Sequence, residues 1–540
     1  AAPVGGTAAA GGLRCCSAPE GHSLVLLCAR GSDDAIAAVP YAVYGNASQG
    51  SGLCGSEVDP ECSVVVQDAV TSKCAGRQRC DLKPEDFEDI CVGTVKELRV
   101  RWTCKSDGGP AQEAARALPK LPLRASGNII VDAEDQRVRL VGVTWGGAHI
   151  LGVPGGLEVS PVRDIAATIG RLGFNVVRFT FSAADVLRNP VVSDYLVAAN
   201  PAFKGLRVLD IWDEVVAALA AEGVMTWMDN HMLDSDWCCG GGDCNGLWFN
   251  ERYSPDDWVE MWRIVARRYG HRTGVVGFGL KNEPRQVCTG KWSCNISCNV
   301  SSLHKLQGGD SAPDPYDQHP SKDDKECAWA QWSEGPELLR YRPAVERAGL
   351  AILNESSSSL VGVSGLSYST HLEAAADDPV RLPAANLVYE AHDYSWSQDL
   401  SGFDWKHDPA GAAAKFAEQL DKQWGFLLRN GSAPVLVSEF GMDHEWYKGT
   451  GTRGWFEMFK GYLLDGPLKD RGGLDWMYWQ LTSVQAGGTG RSRGADEAFG
   501  VLNRCWTAPA AERHFAALVD LGAAPRAGAP AAPPPGDLLV

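Results

Sequence analysis

The chain has 540 residues, too many for one compact core, and its 45% hydrophobic and 22% charged residues are ordinary for a globular protein. The net charge of −17 argues against nucleic acid or an anionic membrane as a partner, because such a surface repels phosphate. No apolar run is long enough to span a bilayer. Uncharged ligands are not excluded.

Cysteines and glycosylation sequons indicate an exported protein. Seventeen cysteines point to an oxidising compartment in which disulfides form. Five N-x-S/T sequons agree with export, at Asn46, Asn295, Asn299, Asn354 and Asn430. Because the first residue is not Met, we expect that a signal peptide has been removed or lies outside this sequence. We predict a secreted, monomeric glycoprotein of the cell wall or extracellular matrix.

Residues 14–104 are predicted to form a small disulfide-rich α+β domain. They hold nine cysteines: Cys15, Cys16, Cys28, Cys54, Cys62, Cys74, Cys80, Cys91 and Cys104. The alternating VKELRVRW of residues 95–102 predicts a strand. Residues 105–122 are rich in Pro, Gly and Ala and predict a linker.

Residues 123–522 alternate apolar runs with amphipathic stretches, a pattern typical of βα units. The eight runs are residues 139–145, 175–181, 223–231, 275–283, 359–368, 386–394, 434–441 and 474–481. Their number predicts an α/β protein with a (β/α)8 TIM barrel rather than an open doubly wound sheet. No Gly-x-Gly-x-x-Gly motif follows these strands, so no dinucleotide cofactor is predicted. Residues 523–540 are Ala/Pro-rich and predict a disordered tail.

Three helices are predicted between these strands, at residues 160–173, 208–223 and 254–270. Ser160 and Ser254 each precede a proline. A serine at the N-cap followed by proline at the first helical position is a common start of a helix. Gly173 is predicted to stop the first of these helices.

Barrel enzymes carry their reacting groups at the carboxyl ends of the strands. Those ends hold Trp145, Arg178, His231, Asn282, Glu283, His392, Tyr394, Glu439 and Trp479. Two of these residues are glutamates, which end the fourth and seventh runs. Cleavage of a glycosidic bond with retention requires two carboxyls about 5–5.5 Å apart, one protonated and one ionised.

The other strand-end residues suit a sugar substrate. Asn282 is placed to bond the 2-OH of the sugar. Arg178 and Tyr394 are placed to hold Glu439 ionised through hydrogen bonds. The remaining groups, which can bond sugar hydroxyls or stack on a ring, are His231, His392 and Trp479.

From about residue 123 to 521 the chain resembles glycoside hydrolase family 5, the large cellulase and mannanase family. The matching segments are VVRF, DNH, LKNEPR, HDY, VSEFG and YWQ, in the family's order. The resemblance implies a retaining mechanism with Glu283 as acid/base and Glu439 as nucleophile, without metal or other cofactor. The segment WCCGGGDCNGLWF (237–249) resembles a plant-type subgroup.

The cysteines of the barrel allow a second interpretation. CCGGGDC (238–244) and CTGKWSCNISC (288–298) have spacings that fit metal clusters. The exported context favours disulfides instead. A bond between Cys288 and Cys505 would tie the Cys-rich insertion at 288–327 to the last strand, although sequence alone does not fix connectivity.

Residues 14–104 resemble the galactose/rhamnose-binding lectin domain of the sea-urchin egg lectin (SUEL) type. The match lies in EGHSLVLLC, YAVYG, CAGRQRC and DICVGTVKELRVRWTC. The resemblance implies a sugar pocket formed by Glu20, Tyr44, Asp89, Gly93 and Lys96. Because the Asn46 sequon stands where the family has Arg, a spacer domain without ligand stays open as an alternative.

The same resemblance implies three disulfides, Cys28–Cys104, Cys62–Cys91 and Cys74–Cys80. Cys54 then pairs with Cys15 or Cys16, which leaves one odd thiol.

The function predicted from both segments is an endo-β-1,4-glucanase, cellulase-like, that acts on a polysaccharide and is tethered to glycans by its lectin domain. Hydrolysis of β-mannan or another β-glycan is the alternative within the family. A catalytically idle glycan-binding matrix protein is the alternative from another class. The presence of both Glu283 and Glu439 argues against an idle barrel.

Overall fold

The computed structural model describes residues 13–28, 34–47, 58–88, 91, 94, 96–105, 116–239, 243–289, 326–482 and 484–524. The first part is a four-stranded antiparallel sheet of order β1–β6–β3–β4, formed by Arg14–Pro19 (β1), Ile36–Ala47 (β3), Val58–Val65 (β4) and Lys96–Cys104 (β6). Leu24–Leu27 (β2) pairs with Arg79–Leu82 (β5), and the helix Gln67–Cys74 packs on β3.

The core of this domain follows from alternation along β6. Leu98, Val100 and Trp102 point inward and are fully buried, together with Leu24 and Val70. Burial of these side chains is the main favourable term for a domain of this size. The strand predicted at 95–102 is confirmed from Lys96 onward, and Val95 lies outside the described residues.

The three disulfides implied by the lectin resemblance, Cys28–Cys104, Cys62–Cys91 and Cys74–Cys80, are present. They join strands or a helix of one small domain, where such crosslinks compensate for a small core.

A fourth disulfide corrects two predictions. Cys16 is bonded to Cys505, 489 residues away, so Cys505 does not pair with Cys288 and Cys16 does not pair with Cys54. Cys54 lies outside the described residues, and Cys15 is also disulfide-bonded. The predicted odd thiol is therefore wrong for the described part of the chain, which has no free cysteine. The cause is tertiary, because Cys505 lies in the hydrophobic cluster of the N-terminal domain.

The second part is a closed barrel of eight parallel strands. In order around the barrel they are Val141–Trp145 (β9), Val176–Ser182 (β10), Met225–Met232 (β11), Val275–Gly279 (β12), Leu360–Ser364 (β15), Leu387–Asp393 (β16), Val435–Phe440 (β17) and Asp475–Tyr478 (β18). Each coincides with one of the eight predicted runs, although β10 and β11 extend one residue beyond theirs, and the predicted α/β barrel is confirmed. A hairpin of Arg124–Ser126 (β7) and Ile129–Val131 (β8) precedes the barrel, and a ribbon of Val287–Thr289 (β13) and Glu326–Ala328 (β14) follows β12.

Helices connect the strands on the outside of the barrel. They span Ala148–Leu151, Val162–Arg171, Ala183–Arg188, Val208–Ala221, Pro255–Tyr269, Tyr341–Glu355, Pro409–Leu420, Phe426–Arg429, Thr450–Asp465 and Glu512–Asp520. The three helices predicted from sequence are among them. None of the helices in the described ranges is both long and apolar enough to cross a membrane.

The two predicted serine caps differ in outcome. Ser254 forms a capping box with Asp257, as its sequence predicts. Ser160 does not cap Val162–Arg171, where Pro161 occupies the N-cap position. The Asn200 side chain accepts the Val162 N–H instead at 2.9 Å, so a distant residue satisfies the free donor.

Toward the amino ends of its strands, the interior of the barrel contains a buried polar pair. The Trp227 indole N–H donates to Glu390 Oε1 at 2.9 Å, and both side chains are fully buried. Gly277 and Gly362 make room for them, because a Cβ at either position would collide with Trp227 or Glu390. Leu118 and Leu121, within the predicted linker, pack against the hydrophobic cluster at this end.

The N-terminal domain contacts the barrel near the loops that follow β9 and β18. Arg14 forms an ion pair with Asp164 at 2.6 Å, and the Cys15 N–H donates to the Val159 carbonyl at 3.1 Å. With Cys16–Cys505, these contacts hold the two parts together. The predicted boundaries at 105 and 123 stay predictions. The predicted tail lies outside the described residues from 525 onward, whereas Ala523 is buried.

Candidate active site

Two glutamates meet at the carboxyl end of the barrel. Glu283 follows β12 and Glu439 lies in β17, and both are almost fully buried. One carboxyl oxygen of each lies within 4.8 Å of the other and of a ring nitrogen of His392. Glu283 has a left-handed backbone (φ 43°), a conformation that non-glycine residues adopt at a cost and that clusters at active sites.

Three groups surround the Glu439 carboxyl. Arg178 Nη1 donates to Oε2 at 2.5 Å, and the Tyr394 hydroxyl donates to Oε1 at 2.9 Å. Burial raises the pKa of Glu439 above its usual value, while His392, Arg178 and Tyr394 oppose that shift. The two hydrogen bonds favour the carboxylate, the form that can attack as a nucleophile.

Glu283 has a different environment. His392 Nδ1 lies 3.1 Å from its Oε1, and the other ring nitrogen lies 3.1 Å from Ser438 Oγ. Burial lowers the pKa of His392 to about 4, so this imidazole is neutral near pH 7. Burial raises the pKa of Glu283 to about 7, against the opposing charges of Arg285, Arg178 and Lys281. A carboxyl with this pKa is protonated in mildly acidic solution and can donate a proton.

Arg178 also organises the residues between the glutamates. Its Nη2 donates to Asn282 Oδ1 at 2.6 Å and to Asp229 Oδ1 at 2.9 Å. The other oxygen of Asp229 lies 2.9 Å from His231 Nδ1. One buried cation therefore fixes Glu439, the Asn282 amide and, through Asp229, the His231 ring.

Aromatic rings form one wall of the site. Trp479 follows β18 and stacks on His231, with centroids 5.2 Å apart and planes 8° apart. Trp237 packs edge-on against Trp479 at 5.9 Å. Flat ring surfaces of this kind suit the C–H face of a sugar.

Eight of the nine strand-end residues singled out from the sequence lie at this site, and Trp145 does not. Trp145 is fully buried, donates its indole N–H to the Gly155 carbonyl at 2.9 Å and packs near Trp506. Its side chain thus packs against the loop that follows β9 and is not exposed to the cleft. The catalytic roles assigned to the other residues stay predictions.

Sequence reasoning missed several neighbours of the site. Asp229 precedes His231 by two residues, and the period-2 rule of strands indicates that the two share a face. His149, whose ring lies 4.5 Å from that of His231, follows the first strand and carries no local signal. Trp396 is 57% exposed and stacks on Tyr394 at 4.4 Å, two positions beyond the HDY segment.

A disulfide between adjacent cysteines also borders the site. Cys238 and Cys239, on the loop after β11, are bonded to each other, and Cys244 is disulfide-bonded as well. Among the described residues, two cysteine-containing groups have metal-like spacing, one with Cys238 and Cys239 and the other with Cys28 and Cys104. Their sulfurs are in disulfides and are not thiolate ligands.

In the N-terminal domain, three of the five implied sugar-pocket residues lie together. The Tyr44 hydroxyl donates to Glu20 Oε1 at 2.5 Å, and Lys96 Nζ lies 3.5 Å from the same oxygen. The Tyr44 hydrogen bond lowers the pKa of Glu20, so this carboxylate is ionised. Asp89 and Gly93 lie outside the described residues.

Of the five sequons, three fall on described residues. Asn354 and Asn430 are exposed, and Asn46 lies in β3 and is half-buried. Asn295 and Asn299 lie outside the described residues.

Comparisons with known proteins agree with the barrel. The family model described as cellulase (glycosyl hydrolase family 5) matches residues 131–485. A glycosyl hydrolase 5 family protein of Chamaecyparis obtusa is 28% identical over 412 residues, which are 72% of this chain and 63% of that protein. An endoglucanase of Paenibacillus polymyxa is 26% identical over 333 residues, 58% of this chain and 70% of that protein. The chain thus spans less than two thirds of the first of these relatives.

Solved structures match the same region. An endocellulase from Pyrococcus horikoshii, determined in complex with cellotetraose, aligns with a TM-score of 0.57 at 22% identity, over 75% of this chain and 100% of that one. The catalytic domain of the major endoglucanase from Xanthomonas campestris pv. campestris gives 0.55 at 22% identity, over 74% of this chain and 99% of that one. At this identity the likeness concerns the fold.

Proposed function

Because this chain belongs to glycosyl hydrolase family 5, we propose that it is a secreted, retaining endo-β-1,4-glucanase that hydrolyses polysaccharide by double displacement. The chain is an endoglucanase-like glycoside hydrolase. The finer parts of the proposal are the substrate, the retaining mechanism, secretion and the glycan-binding role of the N-terminal domain.

One observation carries the proposed mechanism. One carboxyl oxygen of Glu283 and one of Glu439 lie within 4.8 Å of each other, a proximity that supports the spacing of about 5–5.5 Å between the carboxyls of retaining enzymes. Glu439, ionised by Arg178 and Tyr394, attacks the anomeric carbon while Glu283 protonates the departing oxygen. Glu283 then removes a proton from water, which hydrolyses the glycosyl-enzyme. The Asn282 amide is placed to bond the 2-OH of the sugar, and Trp479 to stack beneath the ring.

The substrate is tested by release of reducing ends from a panel of β-glucans and β-mannans. We expect cleavage of β-1,4-glucan into oligosaccharides. Preferential cleavage of mannan would support the alternative within the family. Absence of release from every polymer, with an intact fold, would support an idle glycan-binding protein.

The two glutamates are distinguished by azide rescue. Glu439→Ala removes the nucleophile, so azide attacks the anomeric carbon once and gives an α-glycosyl azide. Glu283→Ala removes the proton donor, so an activated aryl glycoside still forms the glycosyl-enzyme, and azide releases it as the β-azide. Proton NMR separates the two anomers. Glu418→Ala, on the exposed face of the helix Pro409–Leu420, is the control that should keep full activity. Reversed anomers would exchange the two roles.

Glycan binding by the N-terminal domain is supported by the Glu20, Tyr44 and Lys96 cluster. We expect retention on immobilised galactose or rhamnose, and loss of retention in Glu20→Ala. Lack of retention of the wild-type protein would make the domain a spacer. Secretion is supported by the disulfides and exposed sequons. It is tested by recovery of the protein from the culture medium and by a mass decrease on treatment with an N-glycosidase.

A further inference from the structure

The bonded pair Cys238–Cys239 touches both Asn282 and Glu283. Asn282 Nδ2 lies 3.6 Å from the Cys238 sulfur and 3.8 Å from the Cys239 sulfur. Glu283 Oε2 lies 3.8 Å from the Cys238 sulfur. Cys238 is buried, and Cys239 is half-buried. The disulfide therefore covers the flank of Glu283 that His392 does not occupy.

The chemistry of a bonded sulfur explains what this contact does. A disulfide sulfur has no proton to donate and is a weak acceptor. Glu283 Oε2 consequently meets a polarisable apolar atom at a place where water would otherwise solvate a carboxylate. Absence of a donor and exclusion of water both disfavour the ionised form of a carboxyl.

The same sulfurs fix the orientation of the Asn282 amide. Its oxygen accepts from Arg178 Nη2 at 2.6 Å, and its nitrogen faces the two sulfurs. Rotation of the amide by a half turn would place its N–H groups against the Arg178 cation. Because the sulfurs are weak acceptors, they hold the nitrogen without competing strongly for a hydrogen bond that a sugar hydroxyl can accept.

We propose that the Cys238–Cys239 disulfide is a positioning element for proton donation, which shields Glu283 from water and orients Asn282 toward the substrate. A bond between neighbouring residues closes a small covalent ring, so the two sulfurs cannot move apart as separate side chains would. The proposal depends on the proposed acid/base role of Glu283.

The test compares two double variants. Cys238→Ala/Cys239→Ala removes the disulfide at the site, and Cys74→Ala/Cys80→Ala removes a disulfide of the N-terminal domain as a matched control. For each variant, kcat/KM is measured on a cello-oligosaccharide, whose sugar leaving group needs protonation, and on an activated aryl glycoside, which needs little. The pH dependence of kcat/KM and the unfolding temperature are measured as well.

We expect the first variant to lose about tenfold or more on the oligosaccharide, because small displacements of a catalytic group are costly, and clearly less on the aryl glycoside. Its alkaline limb should move to lower pH, because water reaches Glu283 and stabilises the carboxylate. The control variant should keep the wild-type ratio between the two substrates and the wild-type pH profile.

Equal losses on both substrates, or an unchanged alkaline limb, would overturn the proposal. If the alanine variant does not fold, Cys238→Ser/Cys239→Ser replaces it, and failure of both to fold would assign the disulfide to folding and overturn the positioning role. Wild-type protein inactive on both substrates would overturn the proposed function itself, which distinguishes the two failures.

Discussion

Arg178 is the residue on which the geometry of the site depends most. It is fully buried and binds Glu439, Asp229 and Asn282. A buried cation without partners is very unfavourable, so these contacts also keep the arginine in place. The hydrogen bond to the Glu439 carboxyl, the orientation of the Asn282 amide and the support of His231 thus depend on one side chain.

Tyr394→Phe tests whether the tyrosine hydrogen bond keeps Glu439, the proposed nucleophile, ionised. The tyrosine hydrogen bond favours the carboxylate of Glu439, so its loss should raise the pKa of Glu439 and move the acidic limb of kcat/KM to higher pH. The alkaline limb, near pH 7 because burial raises the pKa of Glu283 to about 7, should stay in place. A hydrogen bond to a charged group contributes about 1.5–3 kcal/mol, so activity should fall about tenfold or more. Movement of the alkaline limb alone would contradict this assignment.

Trp396 extends the aromatic surface of the site toward solvent. Its ring stacks on Tyr394 and is largely exposed, so one face is open to a polymer. We predict that Trp396→Ala raises KM for polysaccharide severalfold, since a ring contact contributes about 0.5–1.5 kcal/mol, with kcat nearly unchanged. Trp396→Phe, which keeps a ring, should retain most of the affinity. Steady-state kinetics on soluble β-glucan would measure KM and kcat for both variants. An equal rise in KM for the two substitutions would argue against stacking of the sugar on the ring.

At the scale of elements, the barrel strands were predictable because each is a short apolar run, buried on both faces. The strand-end rule then places Glu283 and Glu439 together without any knowledge of the loops. Trp145 shows the limit of that rule, because only tertiary packing decides whether a strand-end side chain turns into the cleft or into the core. The predicted cap at Ser160 does not form for a similar reason. Asn200 supplies the capping oxygen to the N–H of Val162, 38 residues away.

Ser254→Ala tests the one predicted cap that forms. The Ser254 side chain accepts the Asp257 N–H at 3.2 Å, and Asp257 accepts the Ser254 N–H at 2.8 Å. Loss of a serine cap costs about 1 kcal/mol of the free energy of unfolding. Denaturant titration should show this loss for Ser254→Ala and almost none for Ser358→Ala, an exposed serine outside a helix start. Equal stability of the two variants would show that the box contributes nothing.

At the scale of the whole molecule, Cys16–Cys505 is the feature that no sequence argument reached. The two cysteines are 489 residues apart in the sequence and meet where the N-terminal domain contacts the barrel. The three disulfides inside the N-terminal domain, by contrast, followed from its family resemblance.

Removal of this long-range disulfide should destabilise the protein more than removal of a short one. In the chain-entropy model, closing a loop of this length contributes roughly 6 kcal/mol, against about 2 kcal/mol for the short loop of Cys74–Cys80. We therefore expect a larger fall in unfolding temperature for Cys16→Ala/Cys505→Ala than for Cys74→Ala/Cys80→Ala. Calorimetry under oxidising conditions measures both, and the reverse order would mean that the contacts of Arg14 and Cys15 hold the domains without the bond.

The docking of the N-terminal domain also sets the effective concentration, at the cleft of the barrel, of any polymer that this domain binds. The loops it contacts leave the barrel at the carboxyl ends of β9 and β18, the end that carries Glu283 and Glu439. A polymer held by the domain would therefore meet the cleft as part of the same molecule, with little linker entropy to overcome. The benefit should grow with substrate length, so Glu20→Ala should raise KM for long β-glucans that carry galactose side groups and leave KM for short unsubstituted oligosaccharides unchanged. Unchanged KM for both lengths would mean that the two parts bind sugar independently.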